Sequence, residues 1–121
     1  QAYYAAHREE KLIYGKRYKE ENKEALREKR KSKQHAYRLA TLYGISEEEY
    51  AALFEKQGGK CAVCGGDNSL NPQSTRLYVD HDHITGKIRG LLCHSCNLAA
   101  GLLKDNPERA IRLAKYLTRT P

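Results

Sequence analysis

The chain has 121 residues, 31% of them charged, a formal net charge of +7, four cysteines, one Phe and neither Trp nor Met. This length fits one domain with an appended arm, and a core limited to Leu, Ile, Val and Tyr is small enough for a metal staple to matter. No apolar run in the sequence approaches the roughly 20 residues that span a bilayer, and it holds no signal-peptide h-region; with its cysteines in Cys-x-x-Cys pairs, the chain is expected to work away from membranes in a reducing, intracellular setting. Lacking Met, the sequence is expected to be a fragment or to have lost an N-terminal piece.

Residues 1–43 contain no Pro and a single Gly, Gly15, and are dominated by Lys, Arg, Glu and Ala. This composition predicts one or two long helices. Apolar positions are sparse there: Tyr3, Tyr4, Leu12, Ile13, Tyr14, Tyr18, Leu26, Tyr37 and Leu39. Such helices bury no continuous stripe and should project into solvent or lie on something charged. Residues 1–40 hold 12 Lys/Arg against 6 Asp/Glu, whereas residues 41–121 hold 10 against 9. A basic arm on a near-neutral body suits a nucleic-acid binder; a solubilising charged helix is the plainer reading. The densest basic run holds Arg27, Lys29, Arg30, Lys31 and Lys33. These are the candidate contacts to a DNA backbone, which counterion release would make salt-dependent.

Ser46 and Glu49 form Ser-x-x-Glu, a capping box that predicts a helix start. Glu47 to Glu49 suit the positive end of its dipole, Ile45 and Tyr50 form a hydrophobic staple, and Tyr50, Leu53 and Phe54 form the expected buried face. Gly58-Gly59 ends the helix. The segment before it, residues 39–46, imitates a helix-turn-helix, but phosphates would repel three glutamates opening a recognition helix. Gly65-Gly66, Asn71-Pro72 and Ser74 mark a polar loop. Residues 77–80 and 87–92 predict two strands around a turn at Thr85-Gly86-Lys87, and residues 96–104 a helix. Asn106 and Pro107 cap and open a last helix whose apolar face is Ala110, Ile111, Ala114 and Leu117.

All four cysteines lie in two pairs, Cys61/Cys64 and Cys93/Cys96, with 28 residues between the inner ones. Each Cys-x-x-Cys turn presents two thiolates to one point, and two turns complete a tetrahedral zinc site. Four unrelated buried thiols are hard to reconcile with that spacing, and a redox pair would not need duplicating. A zinc site closed by four thiolates is structural.

Between the pairs stands Asp80-His81-Asp82-His83, after an apolar strand and before a turn. Strand alternation predicts Asp80 and Asp82 on one face, His81 and His83 on the other. Carboxylate oxygen suits Mg²⁺, and a nearby imidazole can take a proton from water. Together they are the parts for hydrolysing a phosphodiester. The plainer reading makes the histidines extra zinc ligands or surface residues.

The order Cys-x-x-Cys, then Val79-Asp-His-Asp-His83, then Gly86-Lys-Ile-Arg-Gly-Leu-Leu-Cys-His-Ser-Cys-Asn97 resembles the recombination endonuclease VII family. This family belongs to the HNH, ββα-metal or His-Me finger, nucleases, and the likeness covers about residues 57–117. It implies a small α+β fold: a mostly helical chain with a β-hairpin-plus-helix core stapled by zinc. Residues 1–44 would then be the basic helical arm and residues 45–121 the nuclease domain. It implies Asp80 and Asn97 as ligands of a catalytic Mg²⁺ or Mn²⁺, His81 as general base, and His83 as an auxiliary group that positions water or contacts phosphate. Lys87 and Arg89 on the second strand would approach phosphates. The junction-resolving relative carries a Glu three residues after the Asn; Ala100 stands there in this chain, which leaves one-metal nicking as the implied chemistry. The implied substrate is DNA, duplex or branched, and the implied setting a bacterial cytoplasm, with a phage gene as one source. A homodimer is compatible with the family but not derivable from the chain. The competing reading is a non-catalytic zinc-containing DNA-binding module; a protein-interaction zinc domain would leave the basic arm unmotivated.

Overall fold

The computed structural model describes Tyr3, residues 7–68, Asn71 and residues 74–119; Tyr4 and Pro72, singled out above, lie outside them. These residues divide into two compact units, residues 1–42 and 43–121. In the first unit, α1 (Arg8–Glu21) and α2 (Lys23–Arg38) are separated at Asn22, whose side chain donates to the Tyr18 carbonyl at 2.9 Å. Neither helix contains a buried residue, as their sparse apolar positions predict. The chain then widens into a π turn, Leu39–Tyr43. There Thr41 donates its hydroxyl back to the Tyr37 carbonyl at 2.7 Å, a contact that loosens a helical ladder.

In the second unit, α3 (Glu47–Lys56) begins at the expected capping box. Ser46 Oγ accepts from the Glu49 N–H at 3.2 Å, and Glu49 Oε2 accepts from the Ser46 N–H at 2.8 Å. The helix ends at Gly58 and Gly59 (φ 64° and 72°), where any side chain on Gly59 would also press on the Phe54 ring. The expected buried face is only partly so: Tyr50 and Leu53 are half-buried and Phe54 stays exposed, its ring stacked along Tyr50 at 6.5 Å.

Strands β1 (Tyr78–His81) and β2 (Ile88–Leu92) form an antiparallel hairpin, each starting one residue later than the sequence suggests. Helix α4 (His94–Leu102) starts two residues earlier than expected, because its first turn grows directly out of the second cysteine pair. Helix α5 (Pro107–Leu117) opens on the predicted cap, Asn106 Oδ1 accepting from the Arg109 N–H at 3.0 Å. Its predicted apolar face exists as a pattern, but Ala110, Ile111, Ala114 and Leu117 are all exposed. Periodicity specifies an amphipathic helix without specifying what covers it.

The core of this unit is small: Leu77, Val79, Leu91 and Leu92, flanked by Cys61 and Cys93. The small mixed fold implied by the sequence is therefore the one observed, a hairpin and helix beside four clustered cysteines. Among the described residues no helix is long and apolar enough to cross a membrane.

Candidate functional site

The first cysteine pair sits in a tight knuckle. The Cys61 N–H donates to the Gly66 carbonyl (2.7 Å), and the Gly65 N–H returns to the Cys61 carbonyl (3.0 Å) with Gly65 at φ 67°. The Val63 and Gly66 N–H groups lie 3.5 and 3.4 Å from the Cys61 and Cys64 sulfurs. The second pair is fixed by α4, with Cys93 at its N-cap. All four Sγ atoms lie within 4.8 Å of one another, and Cys64 and Cys93 are 3.7 Å apart. Sulfurs bound tetrahedrally to zinc are separated by about 3.8 Å, so the cluster has the dimensions of a zinc site. Burial works against ionising Cys61, but the neighbouring N–H groups outweigh it and hold its pKa down at about 6. Burial and the adjacent sulfurs push Cys96 up to about 12. Thiols this close ionise together only around a shared cation.

Two amide side chains tie the segments around this knuckle to the hairpin and to α4. Gln57 Oε1 accepts from the Leu91 N–H at 2.8 Å, while its Nε2 donates to the carbonyls of Leu91 (2.9 Å) and Lys60 (2.8 Å). The Ala62 N–H adds a bond to the same Leu91 carbonyl at 3.0 Å. Asn68 is 4% exposed. Its Nδ2 donates to the carbonyls of Ser74 (2.7 Å) and Arg76 (2.8 Å), and its Oδ1 accepts from the His94 N–H (2.8 Å) at the start of α4. Sequence reasoning missed both residues, because the bonds that reach the strand and α4, Gln57 to Leu91 and Asn68 to His94, span 34 and 26 positions. Tyr50 supplies a third tie, donating its hydroxyl to the Leu77 carbonyl at 2.8 Å.

At the hairpin tip the expected alternation fails. Asp80 pairs with Gly90, but His81 pairs with Ile88, so β2 bulges at Arg89 and β1 ends at His81. Asp82 therefore does not join Asp80 on a strand face. It belongs to the loop, where Oδ1 accepts the N–H groups of Ile84 (2.9 Å) and Thr85 (2.7 Å). The bonds from Thr85 and Ile84 lower its pKa. The imidazoles of His81 and His83 do come together, with ring centroids 4.8 Å apart, and Tyr43 meets His81 edge-on at 5.4 Å. The His81 ring makes no hydrogen bond among the described residues.

Both oxygens of Asp80 face a cation: Arg89 donates Nε to Oδ2 at 2.7 Å and Nη2 to Oδ1 at 3.1 Å. Arg89 also donates to Asp105 Oδ1 at 3.1 Å. Its pKa is raised, chiefly by the bond to Asp80. Lys87, the other cation expected on this strand, lies just before it, exposed and without an ion pair among the described residues. Asn97 lies half-buried on α4, one residue beyond Cys96, and α4 packs against both strands. Among the described residues, the four cysteines are the one group of three or more Cys, His, Asp or Glu close enough to share an ion. On α2, Arg27, Lys29, Arg30, Lys31 and Lys33 are all exposed, and Lys31 pairs with Glu28 at 2.9 Å.

The sequence profile of recombination endonuclease VII matches residues 36–119. The chain is also similar to two curated phage proteins. It is 45% identical to the Gene 59 protein of Mycobacterium phage D29 and 42% identical to that of Mycobacterium phage L5, each over 85 residues. Those residues are 69% of this chain and 50% of either relative, so the chain spans about half the length of the curated relatives it matches.

Proposed function

The chain belongs to the recombination endonuclease VII family, and from that premise we propose that it is a metal-dependent DNA endonuclease, hydrolysing phosphodiester bonds with one divalent ion and a histidine general base. The observation that carries this reading is the end of β1. An Asp80 carboxylate already paired through both oxygens with a cation stands beside a His81 imidazole with no hydrogen-bond partner among the described residues. Asp80 fits a hard divalent ion in its donor chemistry, and the Asn97 amide oxygen on the adjoining helix is the second oxygen donor of the proposed set. When bound, Mg²⁺ or Mn²⁺ would neutralise charge on the phosphate and on the leaving oxygen.

The chain's own residues supply the rest. His81 accepts the proton of the attacking water through an unoccupied ring nitrogen as the water oxygen bonds to phosphorus and the bond to the leaving oxygen breaks. His83 is the auxiliary group that positions that water or contacts the phosphate. The four cysteines hold a structural zinc that fixes the start of α4, and with it Asn97. Residues 45–121 form the nuclease domain in this reading, and residues 1–44 are an arm that brings it to DNA. Lys87, Arg89 and the exposed cations of α2 would contact phosphates.

Zinc-loaded protein should nick supercoiled plasmid with Mg²⁺ or Mn²⁺. His81→Ala should lower the rate about 10² to 10⁴-fold with zinc content and circular dichroism unchanged; undiminished nicking by this variant sinks the mechanism. Tight DNA binding with no metal-dependent cleavage by the parent chain would favour a non-catalytic binding module instead. Replacing Arg27, Lys29, Arg30 and Lys33 by Gln should reduce the salt slope of DNA binding by about 0.9 for each phosphate the arm no longer neutralises. An unchanged slope demotes the arm to a spacer.

A further inference from the structure

Helix α4 ends on two residues with left-handed backbone, Lys104 (φ 56°) and Asp105 (φ 50°). A helix end with this geometry favours Gly, or Asn, since neither is strained there as other side chains are. Strain held at a particular residue is a reason to ask what its side chain does. The Asp105 carboxylate, 21% exposed, reaches back to the hairpin and touches two groups of the candidate site. Oδ2 lies 2.9 Å from His83 Nδ1, and Oδ1 accepts from Arg89 Nη2 at 3.1 Å.

We propose that Asp105 is a positioning residue of this site, fixing the tautomer of His83 and holding Arg89 beside Asp80; its catalytic consequence rests on the nuclease reading above. An ionised carboxylate can only accept, so His83 carries its proton on Nδ1. In the neutral imidazole that leaves Nε2 as an acceptor, and it has no partner among the described residues. A neutral His83 in this form accepts from a water and cannot donate to a phosphate oxygen. Of the two tasks open to an auxiliary histidine, the neutral ring oriented by Asp105 is set for water positioning. Through Oδ1 the same carboxylate keeps the Arg89 guanidinium at the hairpin even when Asp80 takes another cation.

Two substitutions separate this role from simple support of the helix end. Asp105→Gly suits the left-handed backbone but removes the carboxylate. Asp105→Asn keeps shape and backbone preference but removes the charge. Both should keep the parent's melting temperature while lowering kcat about 10- to 100-fold, the usual effect of losing a partner that orients a site residue. Long-range ¹H–¹⁵N spectra of the zinc-loaded protein in alkaline buffer should show His83 as the Nδ1–H tautomer, with the Nε2–H form gaining in Asp105→Gly. An Nε2–H tautomer in the parent, or parental kcat in both variants, overturns the proposal. If the parent chain nicks no DNA at all, the nuclease reading fails by itself, and the tautomer spectra still decide whether Asp105 orients His83.

Discussion

Replacing Gln57 by Ala tests what holds β2 in place. The Leu91 residue is wholly buried, and Gln57 Oε1 is the acceptor for its N–H. Leaving a buried donor unpaired costs about 1–3 kcal/mol. The Leu91 carbonyl keeps its bond from Ala62, so losing Nε2 costs less, about 1 kcal/mol over its two bonds. The expected total is about 2–4 kcal/mol. Gly90 supplies the internal control, because a Cβ there would lie 3.0 Å from Gln57 Oε1 and 3.6 Å from the Ala62 Cβ. Gly90→Ala should therefore cost about 1–3 kcal/mol by overpacking, and much of that should vanish once Gln57 is already Ala, since the remaining neighbour is at ordinary contact distance. Urea unfolding followed by circular dichroism, at one saturating zinc concentration for all four proteins, measures the cycle. A Gln57→Ala cost below about 0.5 kcal/mol, or costs that simply add, refutes the reasoning.

Asn68→Ala should cost about 2–4 kcal/mol, since it leaves the His94 N–H and two carbonyls without their partner in a buried position; a loss under about 1 kcal/mol would mean water replaces the amide. Burial raises the Tyr50 phenol above 10.0, so the folded state holds that proton more tightly than the unfolded one. Its stabilisation is whole below about pH 10 and is lost as pH rises through the higher folded value. Tyr50→Phe should cost about 1 kcal/mol near neutral pH and remove this alkaline limb from the stability curve; an unchanged limb assigns it to other groups. Zinc chelation should abolish the hairpin and α4 signals, and added zinc should restore them. A spectrum indifferent to chelation would show that the four thiols hold the fold without metal.

What was legible in the sequence was local. Ser46 and Glu49 are three residues apart, Asn106 abuts Pro107, and each cysteine pair is its own turn, so spacing alone specifies their geometry. Gln57, Asn68 and Asp105 were invisible because each acts on backbone or side chains 16 to 34 residues away. The bulge at Arg89 lay between these cases. Gly90 was a signal for it, since an isolated glycine inside a strand marks a bulge or a close approach, and here it marks both. Asp82 was placed on a strand face because nothing local in the sequence marks that β1 ends at His81. The amphipathic pattern of α5 was read correctly as helix, but a pattern carries no information about its partner.

The same few residues also settle how the hairpin meets other chains. A two-stranded sheet offers unpaired backbone along its outer edges, which is an invitation to strand addition and aggregation. On β2 that edge is closed twice: the outward N–H and carbonyl of Leu91 are taken by Gln57 and Ala62, and the bulge at Arg89 breaks the straight run beside it. An incoming strand would find neither a continuous ladder nor a flat rim along β2. Copies of this protein that associate on that side must therefore meet through side chains and not through a shared sheet.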